Sequence, residues 1–376
     1  MIKKSLSFFC ALSGSLLVIF GVSAQDEVQL PELTGPYQVG QAIYHLIDDS
    51  RPELRTDDPD DVRELMLYVY YPAEPPTGAE PVPYVDAAMR EGFAASGKAD
   101  DAFFAVIDPV RPHAFADVPL SQAETSYPVL LFMPGGVGMP YNYTALLEEL
   151  ASHGYVVVAT SQPYYSLVTA FPDGRVAIGY FEYLEDPNFV YEVDFDAWLE
   201  TWSQDAKFVL DQLEAFNEAD LLFARHLDLE RIGMFGHSMG GATTYWMCQN
   251  DHRILAGVGL DSPFILNTTC SLCKEMIRTD ISQPVMFMTT LSPFAIPRTV
   301  LELGYILRIA GTDHYSFSDD PLVWRGEAFR SRGEQVVATI NTYLVAFFDK
   351  HVKGQEVTLL DGPSPDFPDV TFELVD

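Results

Sequence analysis

Long apolar runs are absent after residue 22, lysine is scarce and cysteine nearly so, and each shortage excludes a class of protein. Without a second apolar stretch of bilayer length, the chain offers no candidate spanning helix beyond its first residues. Seven lysines, and 54 Asp and Glu against 22 Lys and Arg for a formal net charge of −32, argue against nucleic acid as a partner. Binding it needs clustered cations that displace counterions. The acids are spread without a long block, which suits an exported, soluble protein and a high-salt protein equally. Of four cysteines, Cys10 falls in a leader-like start, so Cys248, Cys270 and Cys273 form an odd set with at least one unpaired thiol. The pair in Cys270-Ser-Leu-Cys273 reads as a local disulfide. The spacing is also that of a thioredoxin-like redox motif, but the strand before it and helix after it are not expected here. No nearby His or Cys completes a zinc site.

What is present begins with Lys3 and Lys4, an apolar run from Leu6 to Val22, and Val22-Ser23-Ala24, the pattern of a cleavable signal peptide over residues 1–24. Secretion or periplasmic export is therefore expected, with residues 25–376 as one domain and without internal repeats. Residues 25–126 are rich in Pro, Asp and turn formers, with one clear strand at Glu64 to Tyr71, and read as an edge strand and covering layer. Beyond them, short continuous apolar runs recur: Pro128 to Met133, Tyr155 to Thr160, Arg231 to Phe235, Ala256 to Leu260, Pro284 to Thr289 and Tyr305 to Ile309. Strands buried on both faces of a parallel sheet have this pattern. Helical patterns lie between them at Tyr143 to His153, Asp196 to Phe216, Met239 to Asn250 and Glu334 to Val352. The alternation predicts an α/β fold, a mostly parallel central sheet with helices on both faces. One insertion, residues 163–202, is dense in rings, among them Tyr165, Tyr183, Trp198 and Trp202. It either lines an apolar pocket or packs a flap onto the body.

The chemistry centres on "GHSMG", Gly236 to Gly240. The string alone is weak, but here it follows a predicted strand and opens a predicted helix, the setting that holds a serine on a strained turn at the sheet's carboxyl edge. Ser238 is thus the candidate nucleophile. A serine hydroxyl needs a histidine to take its proton, and that histidine needs a carboxylate to fix its tautomer. In α/β-hydrolases the chain order is serine, acid, histidine. Only His314 and His351 lie beyond Ala256. His351 reads as a cation at a helix C-terminus, which leaves His314 as base. Of Asp251, Asp261, Glu275, Asp280, Glu302 and Asp313, Asp261 alone directly ends an apolar strand and is the candidate acid. The oxyanion donors are expected at the amide of Met239 and in "PGGVG", at Gly136 with Gly135 or Val137 as alternatives.

With these residues in place the chain resembles the platelet-activating factor acetylhydrolase family within the α/β-hydrolases. The resemblance rests on "GHSMGGAT", "GLDSPF" and "GTDHYSFSD", on the 23-residue step from Ser238 to Asp261, and on "LLEELASHGYVVVAT" after the glycine loop. It implies a serine esterase that uses neither metal nor cofactor and cleaves short or oxidised acyl esters, including phospholipid; with the leader, an exported enzyme with at most peripheral membrane contact is expected. Other ester classes (polyester, lactone, dienelactone) and a non-catalytic binding protein on the same fold are the alternatives. The chain departs from the family in having Pro134-Gly135 where His-Gly is frequent, in its Cys270/Cys273 pair, and in its aromatic insertion.

Overall fold

The computed structural model describes residues 27–179, 194–262, 270–290 and 298–375; the leader-like start and much of the aromatic insertion lie outside these. Ten strands form one sheet: β1 (Gln38–Pro52), β2 (Val62–Ala73), β3 (Phe115–Ala116), β4 (Tyr127–Met133), β5 (Val156–Ser161), β6 (Leu227–His237), β7 (Ile254–Leu260), β8 (Val285–Thr289), β9 (Gly304–Ile309) and β10 (Val370–Val375). Their order across the sheet is β10-β9-β8-β7-β6-β4-β5-β2-β1-β3. From β9 to β5 all neighbours are parallel, and the flanking β10, β2 and β1 run antiparallel to the strands they join. Each of the six apolar runs is one of these parallel strands.

Alternate residues of β4 explain why the run is continuous: Leu130 and Phe132 join the core on one face, and Val129, Leu131 and Met133 the core on the other. Helices α1 (Thr144–Ser152) and α5 (Glu327–His351) cover the first face, while α2 (Phe195–Ala219) and α3 (Met239–Asn250) cover the second. At about 1.5–3 kcal/mol per fully buried large apolar side chain, this double-sided burial is the main force seating the helices.

The N-terminal part differs from expectation. The Glu64–Tyr71 strand is not an edge: β1 pairs along its outer side over most of its length, and β5 along its inner side. The layer is pinned to the body by two buried carboxyl groups. Glu148 accepts the amides of His113 (2.9 Å) and Ala114 (2.7 Å), and Asp319 accepts Tyr84 Oη (3.0 Å) and the amide of Ala145 (3.3 Å). Burial pushes the Glu148 carboxyl up to about 8 and that of Asp319 to about 7.

Within the ring-rich segment, Trp198 and Trp202 belong to α2 and stack at 5.7 Å, with Tyr165 edge-on to both. All three are buried in the body, whereas Tyr180, Phe181, Tyr183, Phe189 and Tyr191 lie outside the described residues. Helix α2 is fastened to β2 by an ion-pair network: Arg63, 2 % exposed, gives Nε and Nη2 to the two oxygens of Asp205 (3.1 and 2.7 Å) and Nη1 to Glu53 (2.7 Å) and Pro163 O (3.2 Å). At its N-terminus Asp196 accepts the amides of Ser271 (2.8 Å) and Leu272 (2.7 Å). These open helix α4 (Ser271–Met276), which Cys270 caps and which holds Cys273 in its first turn, the two joined in a disulfide, so a short helix does run through the pair. Cys248, on α3, is buried and free, and burial pushes its thiol up to about 12.

Candidate active site

Ser238 stands between β6 and α3 with φ 53° and ψ −117°, in the left-handed region that L residues avoid. Such a conformation costs of order 1–3 kcal/mol and persists only where its surroundings over-determine it. They do so here: the Ser238 amide donates to Leu260 O (2.9 Å), and its carbonyl accepts Ser262 Oγ (2.8 Å) and the amides of Gly241 and Ala242 (both 3.1 Å). The turn also needs bare backbone. A Cβ on Gly236 would fall 2.3 Å from Gly240 C, and one on Gly240 would fall 2.0 Å from Met133 O. The serine is half-buried.

The structure brings Asp261 and His314 together at the carboxyl edge of the sheet, Asp261 directly after β7 and His314 in the loop after β9. His314 Nδ1 lies 2.7 Å from Asp261 Oδ2. Because a carboxylate only accepts, Nδ1 carries the proton and Nε2 presents its lone pair, the tautomer of a general base. Asp261 is 2 % exposed, and Thr289 Oγ1 (3.0 Å) and the Thr290 amide (2.9 Å) satisfy its other oxygen. Burial alone would raise its carboxyl; the bonds from His314, Thr290 and Thr289 bring it below the usual range. The rival acids do other work. Glu302 is exposed just before β9, at the opposite edge, and Asp251 pairs with Arg253. Asp313 caps the turn at His314–Phe317 through the Tyr315 and Ser316 amides.

The glycine loop after β4 separates its three candidate donors. The Gly135 amide goes to Tyr143 Oη (3.2 Å) and that of Val137 to Tyr165 O (3.0 Å), while the Gly136 N–H meets no acceptor among the described residues. Met239 opens α3, so its amide has no carbonyl one turn back. Gly136 lies against the edge of the Trp198 ring, where an added Cβ would fall 3.0 Å from Cζ3.

A family model described as the alpha/beta hydrolase fold matches residues 128–301, and one described as platelet-activating factor acetylhydrolase, isoform II, matches residues 22–170. The chain has the α/β-hydrolase fold and is similar to the platelet-activating factor acetylhydrolases. A probable 1-alkyl-2-acetylglycerophosphocholine esterase of Arthroderma benhamiae is 26 % identical over 97 % of this chain and 98 % of its own. The platelet-activating factor acetylhydrolase of Canis lupus familiaris is 24 % identical over 62 % of this chain and 59 % of its own. Among solved structures, a ferulic acid esterase from Streptomyces cinnamoneus superposes with a TM-score of 0.73 at 26 % identity, covering 93 % of this chain and 99 % of that one.

Two side chains of this α/β-hydrolase differ from the sequence reading. His351 is not a helix-end cation: burial, then the nearby Lys350 charge, push it down to about 4, and its Nε2 meets Tyr305 Oη at 3.0 Å. His237, to which the sequence reading gives no role of its own, is buried between Tyr143 Oη and the main chain of His314. Its one signal in the sequence is a polar residue at the end of an otherwise apolar central strand. Among the described residues, no three His, Cys, Asp or Glu side chains converge on a possible metal position.

Proposed function

We propose that this chain is an exported serine ester hydrolase. Ser238 Oγ attacks the ester carbonyl carbon while His314 Nε2 takes its proton; the same proton then goes to the departing alkoxide as the carbon–oxygen bond breaks. Asp261 holds the imidazolium that forms between these steps. The amides of Met239 and Gly136 donate to the oxyanion, and a water molecule deacylates the serine with His314 again as base. The observation that carries this reading is the 2.7 Å bond from His314 to a buried Asp261 on the sheet edge where the strained Ser238 turn stands. The substrate class is short or oxidised acyl esters, phospholipids of the platelet-activating-factor type included, reached at most by peripheral contact with a lipid surface. The names of the curated relatives support that choice.

A second reading, an aromatic acyl ester, is favoured by the solved ferulic acid esterase and by the Trp198 ring beside Gly136. One hydrolysis panel separates the two: 2-acetyl and oxidised 2-acyl phospholipids, p-nitrophenyl esters of increasing chain length, and methyl ferulate. Ser238→Ala is expected to abolish turnover of every active substrate while the protein stays folded. Retained activity would refute the assignment. A cell-fractionation blot tests export.

A further inference from the structure

The His237 ring is 4 % exposed and makes two polar contacts, both with parts of the site. Its Nε2 lies 2.9 Å from the main-chain oxygen of His314, and its Nδ1 lies 2.8 Å from Tyr143 Oη, which in turn lies 3.2 Å from the Gly135 amide. Each proton in this chain has one possible place. A carbonyl oxygen only accepts, so Nε2 carries hydrogen. Burial, then the neighbouring His314, push the ring down to about 3, so it holds a single proton and Nδ1 must accept. Tyr143 therefore donates its hydroxyl proton to Nδ1, and its oxygen receives the Gly135 N–H. One unbroken run of donors results, from Gly135 through Tyr143 and His237 to the carbonyl of His314.

The packing follows the same line. A Cβ on Gly135 would fall 3.0 Å from His237 Nδ1 and 3.2 Å from Ser238 Cβ, so the glycine loop lies directly on the ring and the turn. The His237 and His314 rings sit 4.5 Å apart, and Tyr143 is buried against Phe132 at 4.7 Å. An apolar side chain would fill this space without the cost of burying an imidazole.

We infer that Tyr143 and His237 are positioning residues that tie the glycine loop carrying the Gly136 amide to the loop carrying His314, fixing oxyanion donor and base relative to each other. The inference rests on the proposed roles of Ser238, His314 and Gly136. Tyr143→Phe removes one oxygen and keeps the ring, so the fold survives; His237→Phe removes both polar contacts, and His237→Gln keeps one donor and one acceptor. With p-nitrophenyl acetate, Tyr143→Phe and His237→Phe are each expected to lower kcat by roughly 10- to 100-fold, the scale of a displaced catalytic group. KM should change by less than about threefold, since substrate binding itself loses no partner. His237→Gln should regain part of the loss, and the double Phe variant should be no slower than the slower single one, since both cut the same run. Wild-type kcat in both Phe variants, or losses that multiply in the double variant, would overturn the tie. Ser238→Ala run beside them separates the two failures. An active Ser238→Ala removes the reading and the tie together, whereas an inactive one with undiminished Phe variants removes the tie alone.

Discussion

Asp261 and Glu302 stand at opposite edges of the same sheet, Asp261 buried just beyond the end of β7 and Glu302 exposed just before β9 begins. A carboxylate at the amino edge cannot reach a histidine in a carboxyl-edge loop without crossing the length of a strand. Asp261→Asn should therefore lower kcat by about 10⁴-fold through loss of the correct tautomer. Glu302→Gln should leave kcat within about twofold. Steady-state assay of both purified variants on one short ester decides it, and a larger loss for Glu302→Gln would move the acid.

Arg63 neutralises two buried carboxylates that belong to different parts of the chain, Asp205 on α2 and Glu53 in the loop after β1. Truncating it strands Glu53 and leaves Asp205 with Arg51 Nη2 (2.9 Å) as its remaining cation. Arg63→Ala should destabilise the protein by about 3–5 kcal/mol in urea titration. A loss below about 1 kcal/mol would show that water replaces the guanidinium at no real cost. Since α2 carries Trp198 onto Gly136, the loss should extend to activity before global unfolding.

Glu148 and Asp319 set a pH dependence of unusual sign. Their ordinary values are 4.5 and 3.8, and in the folded chain burial raises them to about 8 and about 7. Between those limits the folded state holds protons that the unfolded state has released, so stability falls as pH rises and the full loss is present above pH 8. Glu148→Gln keeps an oxygen for the Ala114 amide but has no charge to form. Urea midpoints at pH 5.5 and pH 8 should show the variant gaining on the wild type at the higher pH. Equal differences at both pH values would refute the shift.

How much of this was legible follows from where the signals lie. The six parallel strands could be read because burial on both faces leaves each a continuous apolar run, and α3 was placed residue for residue because a glycine turn and an aspartate bound it. Strand β1 was invisible for the opposite reason: Ile43 and Ile47 face solvent, and Asp48, Asp49 and Ser50 interrupt its apolar alternation. Ser238, Asp261 and His314 could be nominated from chain order and elimination, which need no distances, and the fold places Asp261 and His314 in contact. The Tyr143–His237 contact spans 94 residues and belongs to no local pattern, so only the folded chain brings it into view. His351 was misjudged because position in a helix says nothing of what packs over its end.

Cys248 gives the chain a silent marker. The residue is 1 % exposed and its thiol holds its proton at any ordinary pH, so a thiolate-seeking dye finds no nucleophile there while the sheet and α3 remain packed. Cys270 and Cys273 are already spent on each other. In the chain without its first 24 residues, the appearance of one reactive sulfur per molecule would time the opening of this part of the core, one helix behind the turn that carries Ser238.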